Sequence, residues 1–420
     1  MDFRALPSGD YTLSNVTVPA CLLGQEGDLI RTELSIVDGK IGPAQGVAVD
    51  MNGAMVLPCF TDMHTHLDKG HIWGRAPNPD GTFMGALNTV RADHANWSPD
   101  DVRARMDFSL RCAFAHGTSR VRTHLDSMNG QYERSWPVFA EMREKWAGRI
   151  DLQAVSLASC EGFETGGEFA QIADTVAATG GVLGMVTYPV PDLKERLLGF
   201  FNMAADRGLA ADFHVDETMD PGSETLRVIA ETVLETGFDA PVVVGHLCSL
   251  STQLEARALD TLDLVAKAGL NIVSLPMCNL YLQDRTAGRT PRGRGITLVH
   301  EAKARGINVS FASDNTRDPF YAYGDMDMIE VMREATRIGH LDHCETDWVT
   351  AFTSNPASAC GFDAPALVPG APADLVICRA RSWTEFFARP QSNRIVLRDG
   401  RAIDRTLPDY AELDTLMRTE

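Results

Sequence analysis

The chain has 420 residues, 44% of them hydrophobic, and a formal net charge of −19 at pH 7. This length permits one large α/β barrel with an appendage, or two to three smaller domains. The negative charge argues against nucleic-acid and membrane-surface partners, because the overall field repels phosphates. A small neutral or polar substrate is the partner that this charge favours.

Three further features bear on the cell compartment. No stretch approaches the roughly 18 uninterrupted apolar residues of a membrane span, and the segment MDFRALPSGDY lacks the basic and apolar regions of a signal peptide. The nine cysteines are scattered from Cys21 to Cys378 without Cys-x-x-Cys spacing, unlike a disulfide framework or a thiolate zinc site. We therefore predict a cytoplasmic protein with reduced, mostly buried thiols.

The N-terminal segment predicts short strands rather than helices. YTLSNVTVPA, TELSIVDGKI and GAMVLP are β-like and are broken by Gly and Asp, with no helical period. Near the other end of the chain, GAPADLVICRA and NRIVLRDGRAI have the same character. We predict a small β-sandwich built from residues 1–56 and 357–420.

Between these segments, apolar runs alternate with helical stretches. The stretches PDDVRARMDFSLRCAFAHG, SETLRVIAETVLETG and TLDLVAKAG each end on Gly, a common helix stop. Eight βα repeats predict a closed (β/α)8 TIM barrel over residues 57–356. The eight predicted strands are MVLPCFTDMH, TSRVRTHLD, DLQAVSLAS, GVLGMVTYP, LAADFHVDE, PVVVGHLCS, LNIVSLPMC and INVSFASDN.

Polar residues are concentrated at the ends of these strands, where the active sites of such barrels lie. A single strand-end histidine is more often a hydrogen-bonded structural residue, but five of them favour a shared site at the barrel mouth. Strand residues alternate between faces, so the two histidines of the first strand project to the same side. The strand-end residues are His64, His66, His124, Asp126, His214, Glu217, His246, Asp314 and Asn315.

Three imidazoles and one carboxylate suit one borderline divalent metal, Zn²⁺ or Fe²⁺, with water in an open position. Lys69 follows the His-x-His pair and could serve as an alternative ligand or base, although a loop lysine is usually solvated or ion-paired. The predicted metal ligands are His64, His66, His214 and Asp314.

This order of strand-end residues resembles the amidohydrolase superfamily over nearly the whole chain. Members with two metals bridge them with a carboxylated lysine or a carboxylate after strand three or four, and QAVSLASC and LGMVTYPV contain neither, so a single metal is predicted. Several segments are similar to the cytosine deaminase branch in particular. They also resemble enzymes that remove alkylamines from triazine rings, such as N-isopropylammelide amidohydrolase. These segments are HTHLDK, VRTHLD, FHVDE, GHLCSL, NLYLQDRTAGRTPRGRGIT and SDNTRDPFYAYGDMDM.

The resemblance implies a role for each polar group. Water activated by the metal attacks the ring carbon that carries the amino group, and Asp314 passes a proton to the leaving nitrogen. Glu217 protonates the adjacent ring nitrogen, and His246 polarises the attacking water or the tetrahedral centre. Three further residues could line the pocket or orient the metal ligands, or make ordinary loop hydrogen bonds: Gln283, His124 and Asp126.

Two positions depart from the cytosine deaminase pattern. Ser159 or Cys160 occupies the place of a glutamine that contacts the pyrimidine carbonyl and ring N–H, and Asn315 stands where bacterial cytosine deaminases have a second aspartate. An unpaired polar edge is enough to change specificity, so we expect the chemistry to be kept while the substrate differs. Phe320 could cover an aromatic substrate ring, although loop aromatics are more often simple packing.

We therefore predict a hydrolase of C–N bonds other than peptide bonds, a metal-dependent aminohydrolase that deaminates cytosine or a related N-heterocycle and releases ammonia. One alternative is hydrolysis of a cyclic amide or an N-substituted amine by the same site. Another is a barrel that binds a metabolite without turnover, which intact Glu217, His246 and Asp314 argue against. Members of the family are often oligomeric, so a homo-oligomer is expected, although the sequence specifies no interface.

Overall fold

A computed structural model describes residues 3–344 and 346–418. Within these ranges the chain forms sixteen strands, β1–β16: Tyr11–Pro19, Leu29–Val37, Lys40–Gly42, Val47–Asp50, Met55–Pro58, Phe60–Thr65, Thr118–Asp126, Asp151–Leu157, Leu183–Thr187, Ala211–Val215, Val242–His246, Asn271–Ser274, Val309–Phe311, Leu375–Cys378, Ile395–Arg398 and Arg401–Ala402. The same ranges contain twelve α-helices, α1–α12: Phe83–Asp93, Pro99–His116, Tyr132–Trp146, Gly167–Thr179, Leu193–Asp206, Thr225–Thr236, Glu255–Lys267, Pro276–Leu282, Val299–Lys303, Met328–Gly339, Ser354–Cys360 and Trp383–Ala388.

Both ends of the chain contribute to one eight-stranded sheet. Its order is β16-β15-β14-β5-β1-β2-β3, with β4 paired to β1. Apolar residues from its N-terminal and C-terminal strands, among them Leu13, Ile36, Leu375 and Leu397, pack into a core of their own. The predicted division of the chain at residues 56/57 and 356/357 stays a prediction.

Strands β6 to β13 form the barrel. The parallel strands fall into a three-stranded group, β6-β7-β8, and a five-stranded group, β9 to β13. A parallel bridge between Val155 and Val182 joins the two groups on one side, and a bridge between Thr65 and Asp314 joins them on the other. Each of the eight predicted strands overlaps one of these barrel strands, so the predicted fold class is confirmed.

Local sequence sets both ends of α2, and the predicted stop at Gly is confirmed. The Ser98 hydroxyl accepts a hydrogen bond from the Asp101 amide at 3.2 Å, and Pro99 occupies the first helical position. Gly117 ends the helix with φ of 95°, in the left-handed region. A Cβ atom there would lie 2.5 Å from Val376 Cγ2, so the helix end packs directly against the terminal sheet.

The first predicted strand, MVLPCFTDMH, is divided in the structure. Residues Met55–Pro58 pair with β14 in the terminal sheet, whereas Phe60–Thr65 pair with β7 in the barrel. At the junction the amide of Cys59 donates to the Asp374 carbonyl, and the amide of Phe60 donates to the Gly117 carbonyl. The run of apolar residues continues across the junction because both strands are fully buried.

Two predictions about the chain as a whole can be compared with the structure. Seven of the nine cysteines are buried, in accord with the predicted buried thiols. Within residues 3–344 and 346–418, no helix combines the length and the apolar character needed to cross a membrane.

Candidate functional site

Three strand-end histidines meet at the carboxyl end of the barrel. His64 and His66 flank the last residue of β6, and His214 lies in β10. The Nε2 atoms of His64 and His214 are 3.1 Å apart, and those of His214 and His66 are 3.4 Å apart. Three imidazole nitrogens therefore point at one small volume.

Asp314, which follows β13, brings a carboxylate to the same volume. Its Oδ1 is 3.1 Å from His66 Nε2 and 3.6 Å from His64 Nε2. Ligand atoms about 2.1 Å from a tetrahedral metal are about 3.4 Å from one another, close to the spacing observed here. We call His64, His66, His214 and Asp314 the ligand cluster.

The ligand cluster is buried and its carboxylate is unsatisfied. Burial, followed by the neighbouring imidazoles, lowers the pKa of His64 well below its usual range, and burial has the same effect on the pKa of His66 and of His214. The histidines are therefore neutral, the form that binds metals. Burial raises the pKa of Asp314 to about 8, and neither of its oxygens has a hydrogen-bond partner in the described part of the chain. This donor set could hold one divalent cation, which would compensate the buried charge.

Glu217 and His246 lie beside the ligand cluster and share a partner. Glu217 Oε1 is 3.5 Å from His246 Nδ1, and the Asn279 amide nitrogen is 3.3 Å from the former and 3.0 Å from the latter. An amide N–H can only donate, so His246 Nδ1 accepts and the ring proton lies on Nε2. Burial and the charge of Asp314 raise the pKa of Glu217 well above its usual range. Glu217 is thus suited to carry a proton at neutral pH.

Asn279 is a site residue that the sequence analysis missed. It lies in α8. Gln283, which the sequence analysis named as a pocket residue, stands four residues after Asn279, directly after the end of this helix. The Gln283 amide donates to the Glu217 carbonyl oxygen at 3.1 Å, so both residues hold the Glu217 loop. Residues four apart share a helix face, and this spacing in NLYLQDR could have indicated Asn279.

The backbone turns sharply where three of the polar residues follow their strands. Asp216, His246 and Asp314 have φ values of 48°, 72° and 64°, in the left-handed region. Such conformations cost of order 1–3 kcal/mol each and persist only where the surroundings fix them. Asp216 is fixed by hydrogen bonds that its side chain accepts from the backbone amides of Thr225 and Leu226, each at 3.0 Å. These three left-handed positions lie beside the groups with candidate chemistry.

Three residues whose roles the sequence left open make defined contacts. The His124 ring lies 3.9 Å from the His64 ring, centre to centre, and its Nε2 is 3.2 Å from Asp212 Oδ1. Lys69 is ion-paired, with its Nζ 2.7 Å from Asp126 Oδ1. His124 therefore supports a member of the ligand cluster, and Lys69 is held by a carboxylate.

The residues predicted to bind substrate fall into two groups. Phe320 lies at the barrel mouth, where its ring is 5.5 Å from that of Phe83, and the Asn315 amide donates to Asp318 at 2.7 Å. Ser159 and Cys160 instead make local contacts: the Ser159 hydroxyl accepts from the Gly162 amide, and the Cys160 thiol lies 3.8 Å from the Tyr188 carbonyl oxygen. A substrate-binding role for any of these four predicted residues, and for Gln283, stays a prediction.

Comparisons with known proteins agree with this architecture. The profile described as the amidohydrolase family matches residues 162–404. The chain is 52% identical over 423 aligned residues to the pterin deaminase of Rhizobium rhizogenes strain K84, covering 97% of both chains.

Two solved structures have the same fold. One is the 5-methylcytosine deaminase of Klebsiella pneumoniae with phosphonocytosine, with a TM-score of 0.79 and 25% identity, covering 94% of this chain and 97% of that one. The other is the N-isopropylammelide isopropylaminohydrolase of Burkholderia multivorans, with a TM-score of 0.73 and 25% identity, covering 94% and 98%. The predicted resemblance and the predicted enzyme class, hydrolysis of C–N bonds, are confirmed: the chain belongs to the amidohydrolase family.

Proposed function

We propose that this protein is a metal-dependent aminohydrolase that removes the exocyclic amino group of a 2-amino-4-oxo heterocycle of the pterin class. The observation that carries the proposal is the position of Glu217, beside His246 and next to three buried histidines and a buried aspartate. The 52% identity to a pterin deaminase over 97% of the chain supports the ring class. Cytosine, the first ring that the sequence suggests, becomes the comparison substrate.

The ligand cluster would hold the metal. Its three neutral imidazoles and one carboxylate suit Zn²⁺ or Fe²⁺. When bound, such an ion acts as a Lewis acid and makes water nucleophilic near neutral pH.

The surrounding residues would handle the protons. Glu217 donates its proton to the ring nitrogen next to the attacked carbon, which relieves the negative charge that attack places on the ring. Asp314 accepts a proton from the attacking water and returns it to the leaving nitrogen. His246 presents its Nε2–H to the oxygen added to the ring. The carbon–nitrogen bond breaks and ammonia leaves, the remaining proton on the added oxygen passes to Glu217 and restores it, and the ring gains an oxo group in place of the amine.

A panel of substrates tests the proposal. Metal-loaded protein is assayed for ammonia release from pterin, cytosine, 5-methylcytosine and aminotriazines, and for isopropylamine release from N-isopropylammelide. We expect pterin to have the highest kcat/KM. Turnover of cytosine with pterin inert would overturn the ring assignment, and amine release from N-isopropylammelide alone would favour the N-substituted alternative. Metal binding without turnover of any member would favour a binding protein.

A further inference from the structure

A buried ammonium group lies among the loops at the barrel mouth. Lys69 follows β6, is only 4% exposed, and reaches Asp126 at the end of β7. Its Nζ also lies 5.4 Å from the centre of the Phe320 ring, in the loop after β13. Three mouth loops therefore meet around one positive charge.

The ammonium has hydrogen-bonding capacity beyond its ion pair. Lys69 carries three N–H donors, and the Asp126 carboxylate that it meets also accepts from His94 Nε2 at 3.0 Å. Burying a lysine is costly, and one shared carboxylate does not use all three donors. A polar acceptor brought by a ligand would use the remaining donors.

The charge of Lys69 reaches the candidate site. It lowers the pKa of Glu217, against the larger effect of burial, and acts in the same direction on the pKa of Asp314. It also contributes to the lowered pKa of His66. The geometry that locates the ammonium at the mouth is its approach to the Phe320 ring, 5.4 Å from the ring centre, and Coulomb interactions act over such distances where little water intervenes.

Lys69 and Glu217 stand on different sides of the mouth. Glu217 follows β10, whereas Lys69 follows β6 and is held by the loops after β7 and β13. In the lactam form of a 2-amino-4-oxo ring, the attacked carbon has an unprotonated nitrogen on one side and an N–H next to the carbonyl on the other. A ring that offers its bare nitrogen to Glu217 turns its carbonyl away from Glu217, toward the loops that hold Lys69.

We propose that Lys69 is a substrate-binding and specificity-determining residue that donates a hydrogen bond to the ring carbonyl oxygen of the substrate, with Phe320 covering the ring beside it. The inference rests on the proposed function, since it takes the 2-amino-4-oxo ring as given. A cation at this oxygen also stabilises the negative charge that reaches the carbonyl when the ring is attacked. The alternative is an ion pair that only joins the loops after β6 and β7.

The test compares pterin with 2-aminopteridine, which lacks the 4-oxo group, in wild type and in Lys69→Met. We expect wild type to prefer pterin in kcat/KM by about a hundredfold or more, because a site built around a polar contact rejects a substrate that lacks its partner. Lys69→Met should reduce this preference to less than about tenfold. Lys69→Arg, which keeps the charge, should restore part of it. Equal preference in wild type and Lys69→Met would overturn the proposal.

Two controls separate specificity from folding. Lys303 is a matched lysine, with Asp347 at 2.9 Å and the Trp348 ring at 5.2 Å, and it lies in α9, so Lys303→Met should keep the wild-type preference. If Lys69→Met is unstable because Asp126 loses its lysine counter-charge, the double variant Lys69→Met with Asp126→Asn removes both charges and receives the same assay.

Binding distinguishes failure of this proposal from failure of the proposed function. The change in pterin fluorescence on binding gives the affinity of pterin for the metal-loaded protein, and this measurement does not depend on ammonia release. Pterin binding that weakens in Lys69→Met, with no ammonia released by wild type, would reject the deaminase function and retain the Lys69 contact. Equal pterin affinity in both proteins would reject the Lys69 contact whatever the activity.

Discussion

Two layers of polar residues inside one barrel differ in how completely they are paired. Arg122 and Asp212 precede His124 and His214 by two residues on the same strands, so they face the same side one layer deeper. Arg122 donates to Asp212 at 2.8 Å and to Gln153 at 2.7 Å. We call these three residues the paired layer.

The ligand cluster above it is built from similar groups, but its carboxylate lacks hydrogen-bond partners in the part of the chain that the structure describes. Within the described residues, Asp314 has two buried oxygens without hydrogen-bond partners, whereas Asp212 bonds to both Arg122 and His124. Buried polar groups are nearly always satisfied in stable structures. The comparison teaches that burial alone does not mark a functional site; what distinguishes this one is a carboxylate that meets three buried imidazoles and has no hydrogen-bond partner among the described residues.

The largest expected effect is on turnover. Glu217→Gln keeps the shape of the side chain and removes its proton donor, so kcat should fall by about a thousandfold or more. The bound metal and the Tm should stay at wild-type values, because Glu217 lies outside the ligand cluster. Parallel steady-state kinetics and metal analysis measure both. Turnover within a few-fold of wild type would remove Glu217 from the mechanism.

Substitutions in the paired layer should lower the free energy of unfolding. Asp212→Asn leaves Arg122 buried without its counter-charge, which should cost about 3–5 kcal/mol in the free energy of unfolding. The matched change Asp314→Asn, made in metal-free protein, replaces a carboxyl group whose oxygens have no hydrogen-bond partner in the described residues and should cost far less. Denaturant titration of both variants makes the comparison. Similar losses in the two would contradict the distinction between the layers.

Metal removal should destabilise the protein only when the ligand cluster is intact. A ligand that binds only the folded state at a hundred times its Kd stabilises it by about 2.7 kcal/mol. Chelation should therefore lower the Tm of wild type, while His64→Ala, which loses one ligand and with it the metal and activity, should show no such shift. A Tm that falls equally in His64→Ala would place the metal elsewhere.

The smallest effect is expected at Asn279. Asn279→Ala removes the amide that joins Glu217 to His246 and leaves both side chains less well oriented. Outer hydrogen-bond partners of this kind typically contribute about tenfold to a hundredfold, so kcat should fall by that amount with the metal retained. Asn279→Asp, which cannot donate an N–H to His246, should be at least as impaired. Unchanged kinetics in both variants would make Asn279 a packing residue.

The sequence predicts the features that local rules govern. Strand-end placement brought out every member of the ligand cluster, because parallel barrel strands end at one mouth. The end of α2 at Gly117 was likewise predictable from a left-handed helix cap. The division of the first strand at Cys59 was not, because the apolar pattern is continuous and only the pairing partners differ.

The missed details depend on contacts between distant segments. Asn279 reaches Glu217 and His246 from helix α8, and the ion pair of Lys69 with Asp126 requires the loop after β6 to meet the end of β7. The spacing to Gln283 points to Asn279 as a residue of the same face but does not encode its partners, and no spacing within one segment encodes the contact of Lys69 with Asp126. Sequence therefore indicated the chemistry of the site, and the structure added the residues that orient it.

The most direct test of this account is ammonia release from pterin, measured while a divalent metal is added stepwise to metal-free protein. The account predicts no turnover without metal and activity that rises with bound metal to a plateau at one ion per chain. Pterin turnover that is independent of bound metal, or an inert protein with one ion bound, would contradict it.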